Sequence, residues 1–565
     1  MATRRRTAWV LTGLLAAAVA AVLVIIAVMN PQLGSSPLDA AKRAAQSFVD
    51  DAVEAGPWTA PEAAARSHAE LQAQLRPAGL QTPVSVTVID LEDIDAARKR
   101  ATLSWAWQTN PRSRTQVPDW SYTSQLDVVK ADLSWKAEYQ PAVVHPQLHT
   151  DAAVEVTVEA PERAKILGAG DEVLTSVEPV VSIGIEPART DDPRTTAADT
   201  AAALSELAEV DAEALTGRIE KAGAHAFVPV ITIRADDYRR LAEDLRPIPG
   251  TVFRTLDMSI PVHQGLAPLL LGRVDEATAE DLDEDPLLRE GDLVGQSGLQ
   301  KLYQAELSGR TGVNLQIDEE TVLTVDAVPA PPVKTTIDRE LQRSADAAAQ
   351  ETGAATGIVV IDAKSGQVRA VANAGGDAGF DRALSGHYPD SPAHALATAL
   401  QDSRGSDAEV LAALGLERID LGMPASASAE GQPTGSPLSV AVSAARALTG
   451  ERPPVRLVTS VAGEDLDPQA DDAALSGDEQ QELSALLDPF LIDIDSTPST
   501  SAVSGAAATA PIWSITAHDG LIAAAVVEAP EAGASGADTS NAESSDSDAA
   551  HADAEAVLRL LFDAS

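Results

Sequence analysis

The sequence predicts an α+β protein built from several domains. The chain has 565 residues, which is too long for a single hydrophobic core. Apolar residues with helical spacing alternate along it with short β-branched runs that are typical of strands. The proline-rich stretch at residues 327–333 is typical of a linker, so it predicts a boundary before the C-terminal segment.

Composition excludes several classes of function. The net charge of −44 argues against nucleic acid as a partner, because nucleic-acid-binding surfaces are basic. The chain has no cysteine, which excludes disulfides, thiolate metal sites and a cysteine nucleophile but leaves the redox compartment open. Neither a cofactor nor a metal ion is predicted.

The N-terminal segment predicts a membrane anchor. Arg4, Arg5 and Arg6 precede an uncharged apolar run at residues 8–29, which is long enough to cross a bilayer as a helix. The apolar core of a cleaved signal is shorter, at about 7–15 residues. We therefore expect an uncleaved single-pass helix with a cytoplasmic N-terminus and the bulk of the chain outside. A cleaved signal is the alternative that stays open.

Residues 36–150 predict helices packed on a curved, cone-shaped antiparallel sheet. Residues 39–55 have helical spacing, and strand-like runs follow at residues 84–89, 101–107, 121–129 and 133–139. Five of the seven tryptophans lie in this segment: Trp58, Trp105, Trp107, Trp120 and Trp135. We interpret them as core residues, with ligand binding in the cone as the alternative.

A histidine pair in this segment does not predict a metal site. His145 and His149 are four residues apart, a spacing that can place two ligands on one helix face. Pro141 and Pro146 argue against a helix there, and no third ligand is near.

The rest of the chain divides into an interaction segment and a C-terminal domain. Residues 151–330 predict strands at 154–158, 179–185 and 226–233 and a helix at 200–221, without a cluster of reactive side chains. Beyond the linker, Asp338 can cap a helix to Glu351. Strands are expected at residues 356–361, 367–372 and 520–528, an acidic disordered loop at 529–553 and a helix at 554–562.

Short motifs recur through the chain in a fixed order: residues 120–122, 135–139, 143–146, 163–167, 172–174, 249–253, 271–272, 295–300, 307–309, 335–338, 380–384 and 388–389. In that order and spacing they resemble class B penicillin-binding proteins that carry an extra nuclear-transport-factor-like domain. Gly168 and Ala169 depart from this pattern, since the family has Asp-Arg there.

The resemblance implies four regions. Residues 1–30 would be a cytoplasmic stub and anchor, and residues 36–150 the nuclear-transport-factor-like domain. Residues 151–330 would be the dimerisation, or pedestal, domain, and residues 334–565 a shortened penicillin-binding/β-lactamase-like transpeptidase domain. It also implies a location in the bacterial plasma membrane.

The family's chemistry is serine acylation, and its first motif is degenerate in this chain. The family needs a serine that opens a helix and a lysine one turn later that takes the hydroxyl proton. Aligned without a gap, Pro392 and Ala395 occupy these positions. A one-residue deletion would place Ser391 and His394 there, but a helix cap is the better interpretation of Ser391, because Pro392 is a good first helical residue.

The other two motifs are also incomplete. No asparagine occurs between Asn373 and Asn541, so the family's serine–asparagine motif is absent. The resemblance aligns Val503, Ser504 and Gly505 with the family's Lys-Thr-Gly, whose lysine supplies positive charge for the substrate carboxylate. No lysine follows Lys364 anywhere in the chain.

These losses predict a pseudoenzyme of peptidoglycan synthesis, with no catalytic residues, that acts as a scaffold or regulator. Its expected partners are cell-division or cell-elongation envelope proteins, an active penicillin-binding protein, or peptidoglycan. Two alternatives stay open. One is an active D,D-transpeptidase with non-standard catalytic residues, and the other is a sensor that binds a β-lactam or muropeptide without a covalent bond.

Overall fold

The computed structural model describes residues 36–80, 82–109, 118–285, 288–376, 379–417, 419–424, 428–429, 431–450, 454–466, 475–492, 511–528, 556 and 558–562. Within these ranges, no helix is both long enough and apolar enough to cross a membrane. The predicted anchor, the acidic loop at 529–553 and Val503, Ser504 and Gly505 lie outside them.

The described chain contains both helices and strands throughout its length. The elements of residues 36–161 are α1 (Pro37–Val49), α2 (Pro61–Leu75), β1 (Ser85–Asp93), β2 (Arg98–Trp107), β3 (Trp120–Ala131), β4 (Ser134–Ala137), α3 (Pro141–Val144) and β5 (Val154–Glu159). Those of residues 162–308 are β6 (Ile166–Leu167), β7 (Thr175–Ile185), α4 (Pro193–Leu204), α5 (Ala212–Lys221), β8 (Val228–Arg234), α6 (Ala235–Leu245), β9 (Thr251–Pro261), α7 (Pro268–Leu271), β10 (Val274–Glu276), α8 (Ala279–Glu284), β11 (Leu293–Gly295), α9 (Gly298–Leu302) and α10 (Gln304–Leu307).

The elements of the remaining chain are β12 (Gly312–Ile317), β13 (Glu320–Val325), β14 (Val333–Thr335), α11 (Arg339–Glu351), β15 (Thr356–Asp362), β16 (Val368–Ala374), α12 (Arg382–Ser385), α13 (Pro392–Leu400), α14 (Asp407–Leu414), β17 (Ser428–Ala429), β18 (Gln432–Pro433), α15 (Pro437–Thr449), β19 (Val458–Val461), β20 (Glu464–Asp465), α16 (Gly477–Leu487), β21 (Ile512–His518) and β22 (Leu521–Val527). Single 3₁₀ turns lie at Val53–Ala55, Arg76–Ala78, Ala169–Asp171, Pro187–Arg189 and Asp488–Phe490.

The chain forms two compact units. Among the described residues, the N-terminal unit takes in those of 36–161, 282–289 and 309–329, and the C-terminal unit takes in the others. Residues 309–329 therefore belong to the N-terminal unit. Their strand β12 pairs with β5 in antiparallel register, from Gly312 opposite Glu159 to Ile317 opposite Val154. The domain boundaries at residues 150 and 330 stay predictions.

In the N-terminal unit, α1 packs on the antiparallel sheet β1-β2-β3-β4. The helix starts at a capping box in which Ser36 and Asp39 satisfy each other's backbone N–H groups, with Pro37 as the first helical residue. The helical spacing predicted an end at residue 55, and this was wrong. The helix ends at Val49 because Asp51 adopts a left-handed conformation with φ 49°.

The first half of the C-terminal unit has the three-stranded antiparallel sheet β8-β7-β9. Helices α4 and α6 bury Leu204, Leu241 and Leu245 against Val181 and Ile183 of β7. One helix was predicted for residues 200–221, but two are present. The reason is that the side chain of Asp211 accepts the N–H groups of Glu213 and Ala214 at 2.9 Å and so begins a new helix.

The second half has the antiparallel sheet β16-β15-β22-β21 between two layers of helices. One face buries Ile358, Ala523 and Ala525 against Leu341 and Ala345 of α11, and residues 558–562 are helical and add Leu558 and Leu561 to this core. The other face packs against α13, α14 and α15, and this core contains the start of α13.

The start of α16 carries a half-buried ion pair that gives a testable pH dependence. Burial raises the pKa of Glu479, but hydrogen bonds from Ser476, Arg404 and Ser403 outweigh it and lower the pKa to about 2. A lowered pKa stabilises the fold above the ordinary value of 4.5, and this contribution is lost as pH falls towards 2.

Arg404→Met is expected to lower the free energy of unfolding by about 1–2 kcal/mol at pH 7, because it removes the charged hydrogen bonds from Arg404 Nε and Nη2 to Glu479. Urea denaturation at pH 7 and pH 3 measures this, and the difference from wild type should shrink at the lower pH. Arg343→Met is the matched control, since its pair with Glu340 is exposed and should contribute well under ~1 kcal/mol. Equal losses in both variants would contradict the prediction.

Candidate functional site

The start of α13 stands where the family resemblance expects a nucleophile and its base. Ser391 is the N-cap residue and Pro392 the first residue of the helix. Pro392 is buried and Ala395 is exposed. Because neither side chain has an ionisable or nucleophilic atom, these two positions supply no acylation chemistry.

Ser391 and His394 are brought together. The hydroxyl of Ser391 does not cap the helix; it lies 3.1 Å from Nδ1 of His394. Burial lowers the pKa of His394, the neighbouring His387 lowers it further, and Asp390 opposes them. A neutral imidazole can accept the hydroxyl proton, so the geometry is that of a serine with an adjacent base.

The Ser391 hydroxyl is nevertheless closed off from solvent. The residue is 2% exposed. Thr434 and Gly435 run beside it, and the Thr434 carbonyl accepts the Tyr388 N–H at 2.7 Å. Gly435 has φ +77°, and a Cβ there would lie 2.5 Å from the Ser391 hydroxyl and collide with the Tyr388 carbonyl. Only glycine fits this close approach.

A buried ion cluster supports the segment that leads into α13. Arg382 Nε donates to Glu528 Oε1 at 3.0 Å, and the Tyr388 hydroxyl donates to the same oxygen at 2.6 Å. Trp513 packs edge-on against Tyr388 with ring centroids 5.5 Å apart. Sequence analysis did not find this cluster, because Arg382 and Glu528 are 146 residues apart and nothing in their spacing signals a contact.

The second and third motif regions have other roles or lie outside the described residues. Residues 401–416, where the family's serine–asparagine motif is expected, contain α14. The carbonyls of Ala412 and Ala413 in its last turn accept from the buried Arg446 guanidinium at 3.2 and 3.0 Å. Strand β21 pairs with β22, and on its other side the Ile492 N–H donates to the Ile515 carbonyl at 2.8 Å.

A shallow depression of about 430 Å³ lies between α15 and α16, away from Ser391. Its lining is made of small or uncharged residues together with one carboxylate: Ala447, Leu448, Gly477, Gln480, Gln481, Ser484, Ala485 and Asp488. It offers no nucleophile with an adjacent base.

Some of the aromatic residues of the N-terminal unit lie in its hydrophobic core. Trp105 is 0% exposed and Trp58 1%, and their indole N–H groups donate to Ser124 Oγ at 2.8 Å and the Val53 carbonyl at 2.6 Å. Of the two histidines that are four residues apart, His145 packs on Trp120, while His149 Nε2 lies 2.6 Å from an Asp318 carboxylate oxygen. The described residues contain no group of three or more side chains that could hold a metal ion.

Comparisons with known proteins identify one part of the chain. Residues 158–321 match the family model of the Penicillin-binding Protein dimerisation domain. No curated protein matches the chain. One similar solved structure is the complex between Penicillin-Binding Protein (PBP2) and MreC from Helicobacter pylori. It has 15% identity and a TM-score of 0.38, and the alignment covers 66% of this chain and 95% of that chain.

The family match identifies a dimerisation domain of the penicillin-binding-protein type at residues 158–321 and leaves the rest of the chain unassigned. The solved structure is too distant, in both identity and TM-score, to transfer a function or a partner.

Proposed function

We propose that this chain is a penicillin-binding-protein-like component of peptidoglycan synthesis that does not transfer acyl groups and instead binds other proteins of the envelope. One observation carries the proposal. At the helix start where the family places its nucleophile and base, this chain has a buried proline, Pro392, and an exposed alanine, Ala395. The dimerisation-domain match at residues 158–321 supports the family assignment on which this comparison rests.

The chemistry of the missing groups supports the same interpretation. Catalytic residues that act as a unit are not additive, so losing one costs orders of magnitude in rate and losing the others adds little. This chain lacks a lysine after Lys364 and an asparagine between Asn373 and Asn541. Proton transfer and the anchoring of an anionic substrate therefore both lack their usual groups.

The charge of the chain favours protein partners over anionic wall polymers. With a net charge of −44, the surface repels like charges and attracts basic surfaces. A membrane anchor at residues 8–29 would hold the protein beside the cell-division or elongation proteins that we expect it to contact. This anchor is part of the proposal.

The second candidate function is acyl transfer by an unusual pair, and a specific observation favours it. The Ser391 hydroxyl lies 3.1 Å from His394 Nδ1, which could take its proton as the oxygen attacks a carbonyl carbon. The residues beside Ser391 would have to move first, because Gly435 and Tyr388 lie against it and the residue is 2% exposed.

A labelling experiment separates the two candidates. We expect that the full-length protein, incubated with a fluorescent penicillin and run on a denaturing gel, will show no covalent band. The physical reason is that a sealed hydroxyl cannot reach the β-lactam carbonyl. An active penicillin-binding protein run in parallel shows that the reagent is reactive.

A covalent band that Ser391→Ala abolishes would overturn the proposal in favour of acyl transfer. Thr398→Ala is the matched control, since the Thr398 hydroxyl lies further along the same helix and donates a hydrogen bond to the His394 carbonyl. A thermal shift on adding a disaccharide-peptide fragment of the wall, with no covalent band, would instead indicate a non-covalent sensor.

A further inference from the structure

A buried carboxylic acid joins two parts of the C-terminal unit. Asp346 of α11 is 6% exposed. Its Oδ2 accepts the backbone N–H of Ala267 at 2.8 Å, and its Oδ1 accepts the side-chain amide of Gln342 at 3.0 Å. Ala267 lies within the residues that match the dimerisation domain, and Asp346 lies beyond them. The carboxyl group therefore links that domain to the C-terminal sheet and helices.

Gln342 extends the link to the central sheet. Its amide nitrogen also donates to the Val371 carbonyl at 2.8 Å, and its amide oxygen accepts the Val371 N–H at 2.8 Å. The segment at residues 263–271, helix α11 and strand β16 thus share one chain of hydrogen bonds. Gln342 is itself 0% exposed, so water does not replace these hydrogen bonds while the three elements stay packed together.

The segment held by Asp346 has a strained backbone. Ala267 adopts a left-handed conformation with φ 41° and ψ 53°, which is unfavourable for a residue with a Cβ because that atom comes close to the following carbonyl oxygen. Such a conformation persists only where the surroundings impose it. In this segment the Asp346 hydrogen bond and the burial of Leu266, Leu270 and Leu271 hold it in place.

The charged groups of the packed elements are engaged with other partners. On α11, Arg339 pairs with Glu172 and Glu340, and Arg343 also pairs with Glu340. Arg369 of β16 pairs with Asp338, and His263 of the held segment is exposed. Since no cation among the described residues is paired with Asp346, burial dominates and raises its pKa to about 7.

The sign of the pH effect follows from linkage. A carboxyl group exposed by local opening ionises near 3.8, whereas the buried one keeps its proton to about pH 7. Opening therefore becomes easier as pH rises between these values and levels off above the higher one.

We propose that Asp346 is a proton-controlled latch between the segment at residues 263–271 and helix α11. The latch holds the dimerisation domain against the C-terminal sheet when the carboxyl group is protonated and loosens as pH rises towards neutrality. It depends on neither acyl transfer nor a particular partner, so it stands independently of the proposed function.

Hydrogen–deuterium exchange of the full-length protein tests the latch. Between pH 5.5 and pH 8.5, with rates corrected for intrinsic exchange, protection of the peptide at residues 263–271 should fall about tenfold per pH unit up to about pH 7 and then level off. Asp346→Asn should remove this dependence. Glu351→Gln, an exposed carboxyl on the same helix, should behave like the wild type.

Three results would overturn the latch. The first is wild-type protection that does not change with pH, which needs no variant to fold. The second is a parallel loss of protection in β7, which would indicate global rather than local opening. An Asp346→Asn variant with the wild-type slope would also assign the effect to another group.

Discussion

Replacing Trp105 with alanine is expected to lower the free energy of unfolding of the N-terminal unit by about 3–5 kcal/mol. The side chain is 0% exposed, stacks on Trp107 with centroids 5.8 Å apart and lies 5.0 Å from the ring of Phe48. Truncation would leave a cavity in a dense aromatic core and remove the hydrogen bond from the indole to Ser124.

Urea denaturation followed by tryptophan fluorescence measures this loss. The signal reports mainly on the N-terminal unit, because five of the seven tryptophans lie at residues 36–150. Trp135→Ala is the matched control: the side chain is half-buried, and its loss should cost about 1 kcal/mol or less. If both variants lose the same stability, Trp105 is not a central residue of this core.

Replacing Arg382 with methionine is expected to destabilise the C-terminal unit by about 2–3 kcal/mol. The Arg382 side chain is 7% exposed and that of Glu528 is 33% exposed. Removing one partner of a buried pair leaves an uncompensated charge, at a cost of about 3–5 kcal/mol when burial is complete. Water reaches part of Glu528, so the expected loss is smaller.

Hydrogen exchange in increasing urea, read on peptides from β15, β16 and β22, measures this effect. Arg382→Lys should retain part of the stability because it keeps the charge. Adding Glu528→Gln to Arg382→Met should recover part of the loss, since the stranded carboxylate is removed. A double variant that is less stable than Arg382→Met alone would contradict the assignment of the cost to Glu528.

Much of the fold followed from local patterns. The strands at β15, β16 and β22 were predicted close to their observed bounds, since apolar β-branched runs and the turn at residues 362–366 leave little alternative. Asp338 caps helix α11, as predicted, because its side chain accepts the Leu341 N–H. Where predictions differed, single residues such as Asp51 and Asp211 decided the helix ends through their backbone conformation or hydrogen bonds.

The candidate site was only half predictable. Pro392 and Ala395 could be assigned from the order of motifs, and Ser391 was recognised as the residue before a helix. Sequence could not show that its hydroxyl turns to His394 rather than capping the helix, nor that Gly435 lies over it. The first outcome depends on which side-chain rotamer Ser391 adopts. The second depends on how segments far apart in the sequence pack, and local spacing does not encode that.

The sequence by itself determined which reactive groups the C-terminal domain lacks, because no fold can supply a lysine after Lys364 or an asparagine between Asn373 and Asn541. Only the tertiary structure decided which of the remaining groups meet. It joined Arg382 to Glu528, buried Asp346 between two parts of the chain and sealed Ser391. The physical reason is that burial and hydrogen bonding between distant residues follow from packing, which changes a side chain's charge state and access without changing its identity.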